Sequence, residues 1–133
     1  MMKKLYKVNS LEEFNELAIK FSQTLKKNDI IFFEGDLGTG KTQFVKMIAK
    51  VLGIKKTITS PTFNIIKEYE DKLCHVDAYR LNQEYIELDD YLNQDYIVCI
   101  EWPECMLNKI KPNYIIKINY IENGREITII KGE

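Results

Sequence analysis

The sequence predicts a three-layer α/β fold: a single domain over residues 1–133, with a mixed, mostly parallel sheet, flanking helices and antiparallel hairpins. Residues 30–33 and 96–100 are continuous apolar runs, typical of strands covered on both faces in a parallel sheet. Two segments with helical periodicity flank the first of these runs. The length suits one hydrophobic core.

The first half of the chain predicts strand, helix, strand and helix in that order. Residues 1–8 form a short edge strand, and Ser10 with Glu13 is the capping-box pattern that begins a helix. Asn28-Asp29 ends that helix. After the strand at 30–33, residues 41–52 again show helical spacing, with Gly53 placed as the C-cap. The apolar positions of the first helix are Leu11, Phe14, Leu17, Ala18, Phe21 and Leu25.

The second half predicts mainly strands. Residues 62–69 and 73–79 form an antiparallel hairpin around the polar turn 70–72, and residues 84–92 are weakly helical. Residues 96–100 form a buried strand. Residues 114–120 and 126–131 form a closing hairpin around Asn123-Gly124.

Composition excludes several classes of function. The formal net charge of −1 argues against a surface that binds nucleic acid by neutralising many phosphates, so contact with RNA is expected only through partners. The three cysteines form no CxxC pair, and Cys74 beside His75 is interpreted as a buried thiol next to a strand histidine. With no signal peptide or transmembrane run, we expect a cytoplasmic protein with no membrane partner.

A phosphate-binding motif carries the chemistry. It matches G-x-x-x-x-G-K-[ST], in which backbone N–H groups surround phosphates at a helix N-terminus. An apolar strand precedes it and a periodic helix follows, as this motif requires. Lys41 is expected to reach the β- and γ-phosphates, and Thr42 to ligate Mg²⁺. The motif residues are Gly35, Asp36, Leu37, Gly38, Thr39, Gly40, Lys41 and Thr42.

Two carboxylates end predicted strands and complete the candidate catalytic set. Asp77 and Glu101 are expected at the carboxyl ends of sheet strands, where α/β sheets bind ligands. One would hold Mg²⁺, directly or through water, and the other would polarise the attacking water. Thr62 in Ser60-Pro61-Thr62 is a candidate switch residue, with an ordinary turn as the alternative. Trp102 is either a core residue or a ring over the site.

Four blocks together resemble the TsaE (YjeE) family of P-loop ATPases in bacterial tRNA threonylcarbamoyladenosine biosynthesis. In order, they are the motif at residues 35–42, Ser-Pro-Thr-Phe at 60–63, His-Val-Asp-Ala-Tyr-Arg-Leu at 75–81 and Ile-Glu-Trp-Pro at 100–103. The first block is common to many families, whereas the other three at these separations are specific.

The resemblance implies an ATPase that binds ATP and Mg²⁺ and joins partner proteins TsaB and TsaD, with tRNA contacted only indirectly. It implies that Asp77 and Glu101 are essential acids, with Glu101 linked to Mg²⁺, and that Thr62 belongs to the switch. Arg125, in a late Gly-Arg pair, resembles an arginine close to nucleotide.

Two alternatives to a hydrolase stay open. A small-molecule kinase shares the motif but needs arginine clamps, and the chain has only Arg80 and Arg125. A nucleotide-dependent adaptor would bind ATP chiefly to lock a complex. A GTPase is disfavoured because the run at 108–111 lacks the aspartate of a guanine-reading Asn-Lys-x-Asp, which favours adenine.

Overall fold

The computed structural model describes residues 2–36, 38–59, 66–78, 86–102 and 110–132, with the side chains of residues 86 and 87 excepted. Within these ranges seven strands and three helices form. They are β1 (Met2–Val8), α1 (Leu11–Ser22), β2 (Ile30–Glu34), α2 (Lys41–Val51), β3 (Ile66–Tyr69), β4 (Leu73–Asp77), α3 (Ile86–Asp89), β5 (Ile97–Glu101), β6 (Tyr114–Ile121) and β7 (Gly124–Lys131).

The strands form one sheet in the order β1-β7-β6-β2-β5-β4-β3. Its four central strands, β6, β2, β5 and β4, are mutually parallel, whereas β3, β7 and β1 pair antiparallel with their neighbours. This confirms the predicted mixed, mostly parallel sheet with antiparallel hairpins. Because β2, β5 and β4 run in one direction, their carboxyl ends meet at a single edge of the sheet.

Both long helices pack on one face of the sheet, around the ring of Phe44. That ring is fully buried and makes edge-to-face contacts with Phe14, Phe21 and Phe33, at centroid distances of 5.9, 5.7 and 5.5 Å. Such aromatic pairs stabilise a core beyond the area that they bury. The contacts fix α2 against α1 and β2, and therefore fix where α2 begins.

A second apolar cluster covers the opposite face. Phe32, Val76 and Ile100 from three central strands pack there with Leu88 of α3 and with Ile110. The alternation of β2 residues between the two clusters explains its continuous apolar run, because both faces are covered. None of the described helices has the length and apolar character needed to cross a bilayer.

Helix α1 begins as predicted but ends earlier. Ser10 accepts a hydrogen bond from the Glu13 N–H, and the Glu13 carboxylate accepts one from the Asn9 N–H, which is a complete capping box. The helix ends at Ser22 rather than near Asn28, because the N–H and the hydroxyl of Thr24 both bond to the Phe21 carbonyl, three residues back, instead of continuing the i−4 pattern. Gly53 follows α2 in a left-handed conformation, as expected.

Candidate functional site

Glycines shape the loop between β2 and α2. Gly35, Gly38 and Gly40 have φ values of 151°, 82° and 121°. At Gly35 an added Cβ would lie 2.4 Å from the carbonyl oxygen of Ile118 in β6, and at Gly40 3.0 Å from Cζ of Phe14 in α1. The loop therefore lies too close to the sheet and to α1 for a side chain at either position.

The loop ends at the N-terminus of α2, which is electropositive. The N-cap residue, Gly40, has no side chain to accept from the first N–H groups, and the first turn carries no acidic residue. No carboxylate of the helix itself therefore offsets the partial positive charge of this end. This end of α2 is suited to an anion such as phosphate.

Lys41, the first residue of α2, points its ammonium into the loop. The residue is only 4% exposed, its Nζ donates to the Gly35 carbonyl at 2.7 Å, and Nζ lies 3.5 Å from the centroid of the Trp102 ring. The face of an indole attracts a cation. Of the two readings of Trp102, the structure therefore supports a ring that lies over the site.

Thr42, Glu101 and His75 form a hydrogen-bonded chain beside Lys41. The Thr42 hydroxyl lies 3.2 Å from Glu101 Oε2 and donates to it, and His75 Nε2 lies 2.5 Å from the same oxygen. Glu101 is 5% exposed and His75 is fully buried. His75 was not among the predicted site residues, although its position in the His-x-Asp block was a usable signal.

Asp77 ends β4 beside Glu101 at the end of β5. The two residues are register partners on parallel strands, and Asp77 is half-buried. Both predicted acids therefore lie at the sheet edge where the loop follows β2. Of the two, Glu101 is the acid bonded to Thr42.

The β6–β7 hairpin holds the outer part of the loop. The Tyr120 hydroxyl donates to the Gly38 carbonyl at 2.6 Å, and Arg125 Nε donates to the Thr39 carbonyl at 3.0 Å. The Arg125 guanidinium also stacks 4.2 Å from the centroid of the Tyr120 ring. Arg125 thus lies at the loop, and Tyr120 joins it as a residue that the sequence reasoning did not identify.

A cleft of about 450 Å³ opens beside residues 38–40. The turn between β1 and α1 and the turn between β6 and β7 both contribute to its lining. Polar groups from Asn9, Ser10, Gln43, Asn123 and Arg125 line it together with the apolar side chains of Val8, Leu11 and Phe14. Mixed lining of this kind is typical of small-molecule sites.

The cysteines of the described ranges are buried thiols, as predicted. Burial raises the pKa of Cys74 to about 12, and burial likewise raises the pKa of Cys99 well above its usual range. The two lie in separate apolar clusters on opposite faces of the sheet. Because a thiolate is the metal-binding form, the raised pKa of Cys74 disfavours metal binding at that residue.

The remaining predicted residues are placed as follows. Asp36 is exposed, and its carbonyl accepts bonds from the Thr39 hydroxyl and N–H at 2.9 and 3.3 Å. Leu37 and Thr62 lie outside the described residues. Within the described ranges, His, Cys, Asp and Glu side chains form no group of three or more that can hold a metal.

Comparison with known proteins identifies the family. The family model described as threonylcarbamoyl adenosine biosynthesis protein TsaE matches residues 8–128. The chain belongs to the TsaE family. TsaE proteins take part in tRNA threonylcarbamoyladenosine biosynthesis.

Individual TsaE relatives align over most of the chain. The Rickettsia typhi protein is 36% identical over 138 residues, which is 97% of this chain and 95% of the relative. The Aquifex aeolicus protein is 35% identical over 131 residues, 93% of each chain. The Bacillus subtilis protein is 42% identical over 96 residues, 68% of this chain and 61% of the relative. All three are described as tRNA threonylcarbamoyladenosine biosynthesis protein TsaE.

A solved structure shares the fold. The crystal structure of YdiB from Bacillus subtilis superposes with a TM-score of 0.78 at 31% identity, covering 98% of this chain and 86% of YdiB. The seven-stranded arrangement described above is therefore that of a TsaE-type P-loop fold.

Proposed function

We propose that this chain binds ATP with Mg²⁺ at the loop of residues 35–42 and hydrolyses it, as a component of tRNA threonylcarbamoyladenosine biosynthesis. One observation carries the proposal. Lys41 and Thr42 begin α2 at the end of the glycine loop, and the Thr42 hydroxyl is bonded to the buried Glu101 carboxylate at 3.2 Å. A generic phosphate site needs only the loop, whereas hydrolysis also needs a metal-linked acid.

The triphosphate would lie against the first turn of α2. The backbone N–H groups there and the Lys41 ammonium supply the positive charge that phosphates require. To reach phosphate oxygens, Lys41 must exchange its bond to the Gly35 carbonyl, and the Trp102 ring must allow that movement. Arg125, at 3.0 Å from the Thr39 carbonyl, is a second cation at the outer loop.

Thr42 and Glu101 are oxygen donors that fit Mg²⁺. This ion prefers oxygen ligands, keeps several waters and is usually bound through one or two protein groups together with substrate phosphates. With its hydrogen donated to Glu101, the Thr42 hydroxyl keeps lone pairs to offer a metal. Bound Mg²⁺ would neutralise developing charge on the phosphates.

Asp77 is the proposed group that orients the attacking water. It shares the edge of the sheet with Glu101 but ends the neighbouring strand, so the two acids approach the phosphates from adjacent positions. The hydrogen bond to Thr42 links Glu101 to the metal side of the site, and Asp77, at the end of the neighbouring strand, is proposed for the water-orienting role. Thr62, as a switch residue, remains part of the proposal from sequence.

The cleft beside residues 38–40 would hold the nucleoside. It adjoins the phosphate loop, and its mixed lining can cover a base and bond to its polar edge. The choice of adenine rests on the sequence argument against a guanine reader.

The proposed partners are TsaB and TsaD, and contact with tRNA is proposed to run only through them, in the cytoplasm. We expect the isolated chain to hydrolyse ATP slowly and the complex to hydrolyse it faster. A nucleotide-dependent adaptor, which would bind ATP chiefly to lock a complex, is the alternative from the sequence.

Two measurements test the proposal: calorimetric titration with ATP, and phosphate release with Mg²⁺, with and without TsaB and TsaD. Lys41→Ala should abolish nucleotide binding. Lys46→Ala is the matched control, because Lys46 is an exposed lysine on the same helix. Binding without phosphate release, even with both partners present, would favour the adaptor. Unchanged binding in Lys41→Ala would refute the site itself.

A further inference from the structure

The buried histidine of β4 is a feature that the proposed mechanism does not use. His75 is the only histidine of the chain and is fully buried on the face that α2 covers. Its Nε2 lies 2.5 Å from Glu101 Oε2, whereas its Nδ1 is buried with no hydrogen-bond partner among the described residues. A buried ring nitrogen without a hydrogen-bond partner is uncommon in folded proteins.

The unpartnered nitrogen determines where the ring proton lies. A buried N–H without an acceptor costs free energy, whereas a bare ring nitrogen has only a lone pair to leave unsatisfied. The favoured tautomer therefore carries its proton on Nε2 and donates it to Glu101. In this form the imidazole acts as a single, directed donor.

Strand register explains why His75 reaches Glu101. On parallel β4 and β5, His75 pairs with Cys99, and Asp77 pairs with Glu101. Residues two apart on a strand share a face, so His75 and Glu101 are diagonal neighbours on one face of the sheet. The His75 ring extends along that diagonal, and its Nε2 reaches the Glu101 carboxylate from the side of the core.

Glu101 Oε2 consequently receives two donors, one from His75 and one from Thr42. Two donors on one oxygen fix the rotation of the carboxylate. The Thr42 hydrogen is donated to Glu101, so the lone pairs are the part of this hydroxyl that a metal could use. Outer groups of this kind orient the ligands of many metal sites.

We propose that His75 is a positioning residue that holds Glu101 in the orientation in which Thr42 can ligate Mg²⁺. This inference rests on the proposed function, because it concerns the same nucleotide site. It assigns His75 no contact with substrate. The role is specific to the metal-linked part of nucleotide binding.

The first test uses His75→Phe, which keeps a ring but removes the donor, and His75→Gln, which restores an N–H. ADP affinity is measured by calorimetry in EDTA and at increasing Mg²⁺, together with the Mg²⁺ concentration for half-maximal phosphate release. His75→Phe should need about 10- to 100-fold more Mg²⁺, with little change of ADP affinity in EDTA. His75→Gln should recover most of this loss.

Cys74→Ala is the matched control, because Cys74 is fully buried on the same strand but packs in the cluster on the opposite face. It should lower stability without changing the Mg²⁺ requirement. An unchanged Mg²⁺ requirement in His75→Phe, or an equal increase in Cys74→Ala, would overturn the positioning role. If the unsubstituted protein does not bind nucleotide, that result would instead refute the proposed function.

A second measurement needs no variant. In the untagged protein the single histidine gives an unambiguous ¹⁵N correlation spectrum of its ring. We expect the Nε2–H tautomer, with ring shifts that change when Mg²⁺ is added to the ADP-bound protein. The Nδ1–H tautomer, or ring shifts insensitive to Mg²⁺, would contradict the inference even if His75→Phe does not fold.

Discussion

Replacing Glu101 separates its structural role from its chemical role. Glu101→Ala removes the acceptor of both His75 Nε2–H and the Thr42 hydroxyl. Glu101→Gln keeps an oxygen that can accept from both but loses the negative charge. We therefore expect Glu101→Ala to lower stability and turnover, and Glu101→Gln to lower turnover with little effect on stability.

The expected loss of stability in Glu101→Ala follows from the burial of His75, which donates to Glu101. Because His75 is fully buried, its N–H finds no water when Glu101 becomes alanine, and an unsatisfied buried donor costs about 1–3 kcal/mol. For a domain of this size each kcal/mol lowers Tm by about 3–5 °C, so a Tm decrease of about 3–15 °C is expected. Turnover should fall by about 10- to 100-fold in Glu101→Gln.

Thermal unfolding without nucleotide and phosphate release with Mg²⁺ and ATP measure the two effects. Glu16→Ala, at an exposed glutamate of α1, is the control and should change neither. Both Glu101 variants should retain nucleotide binding better than turnover. Equal Tm values for Glu101→Ala and Glu101→Gln would refute the argument from the buried donor, and equal losses of binding and turnover would refute the metal-linked assignment.

Two further predictions concern the loop and the thiols. Tyr120→Phe removes the 2.6 Å bond to the Gly38 carbonyl and should weaken ATP binding severalfold in a calorimetric titration, with a stability loss of at most about 1 kcal/mol because Tyr120 is exposed. In a Cys105→Ser background, Cys74 should resist a thiol reagent at about pH 8 until denaturant is added, because its pKa is raised to about 12. Rapid labelling of the folded protein would contradict its burial.

Local features of the fold were predictable from sequence. The capping box at Ser10 and Glu13 depends on residues three apart, and the structure shows both of its hydrogen bonds. The buried strands were recognisable because strands covered on both faces carry only apolar side chains. The end of α1 was less predictable, because short-range bonds from Thr24 to the Phe21 carbonyl end the helix before the Asn28-Asp29 signal.

The sequence by itself determined the phosphate loop and placed Asp77 and Glu101 at strand ends, because a glycine loop between a strand and a helix is a local pattern. Only the tertiary structure decided which acid is hydrogen-bonded to Thr42, and that His75 is bonded to the same acid. Those contacts join residues 59 and 26 positions apart, and they depend on the parallel register of β4 and β5 and on the packing of α2 over them. Strand register depends on the whole core, and no short segment encodes it.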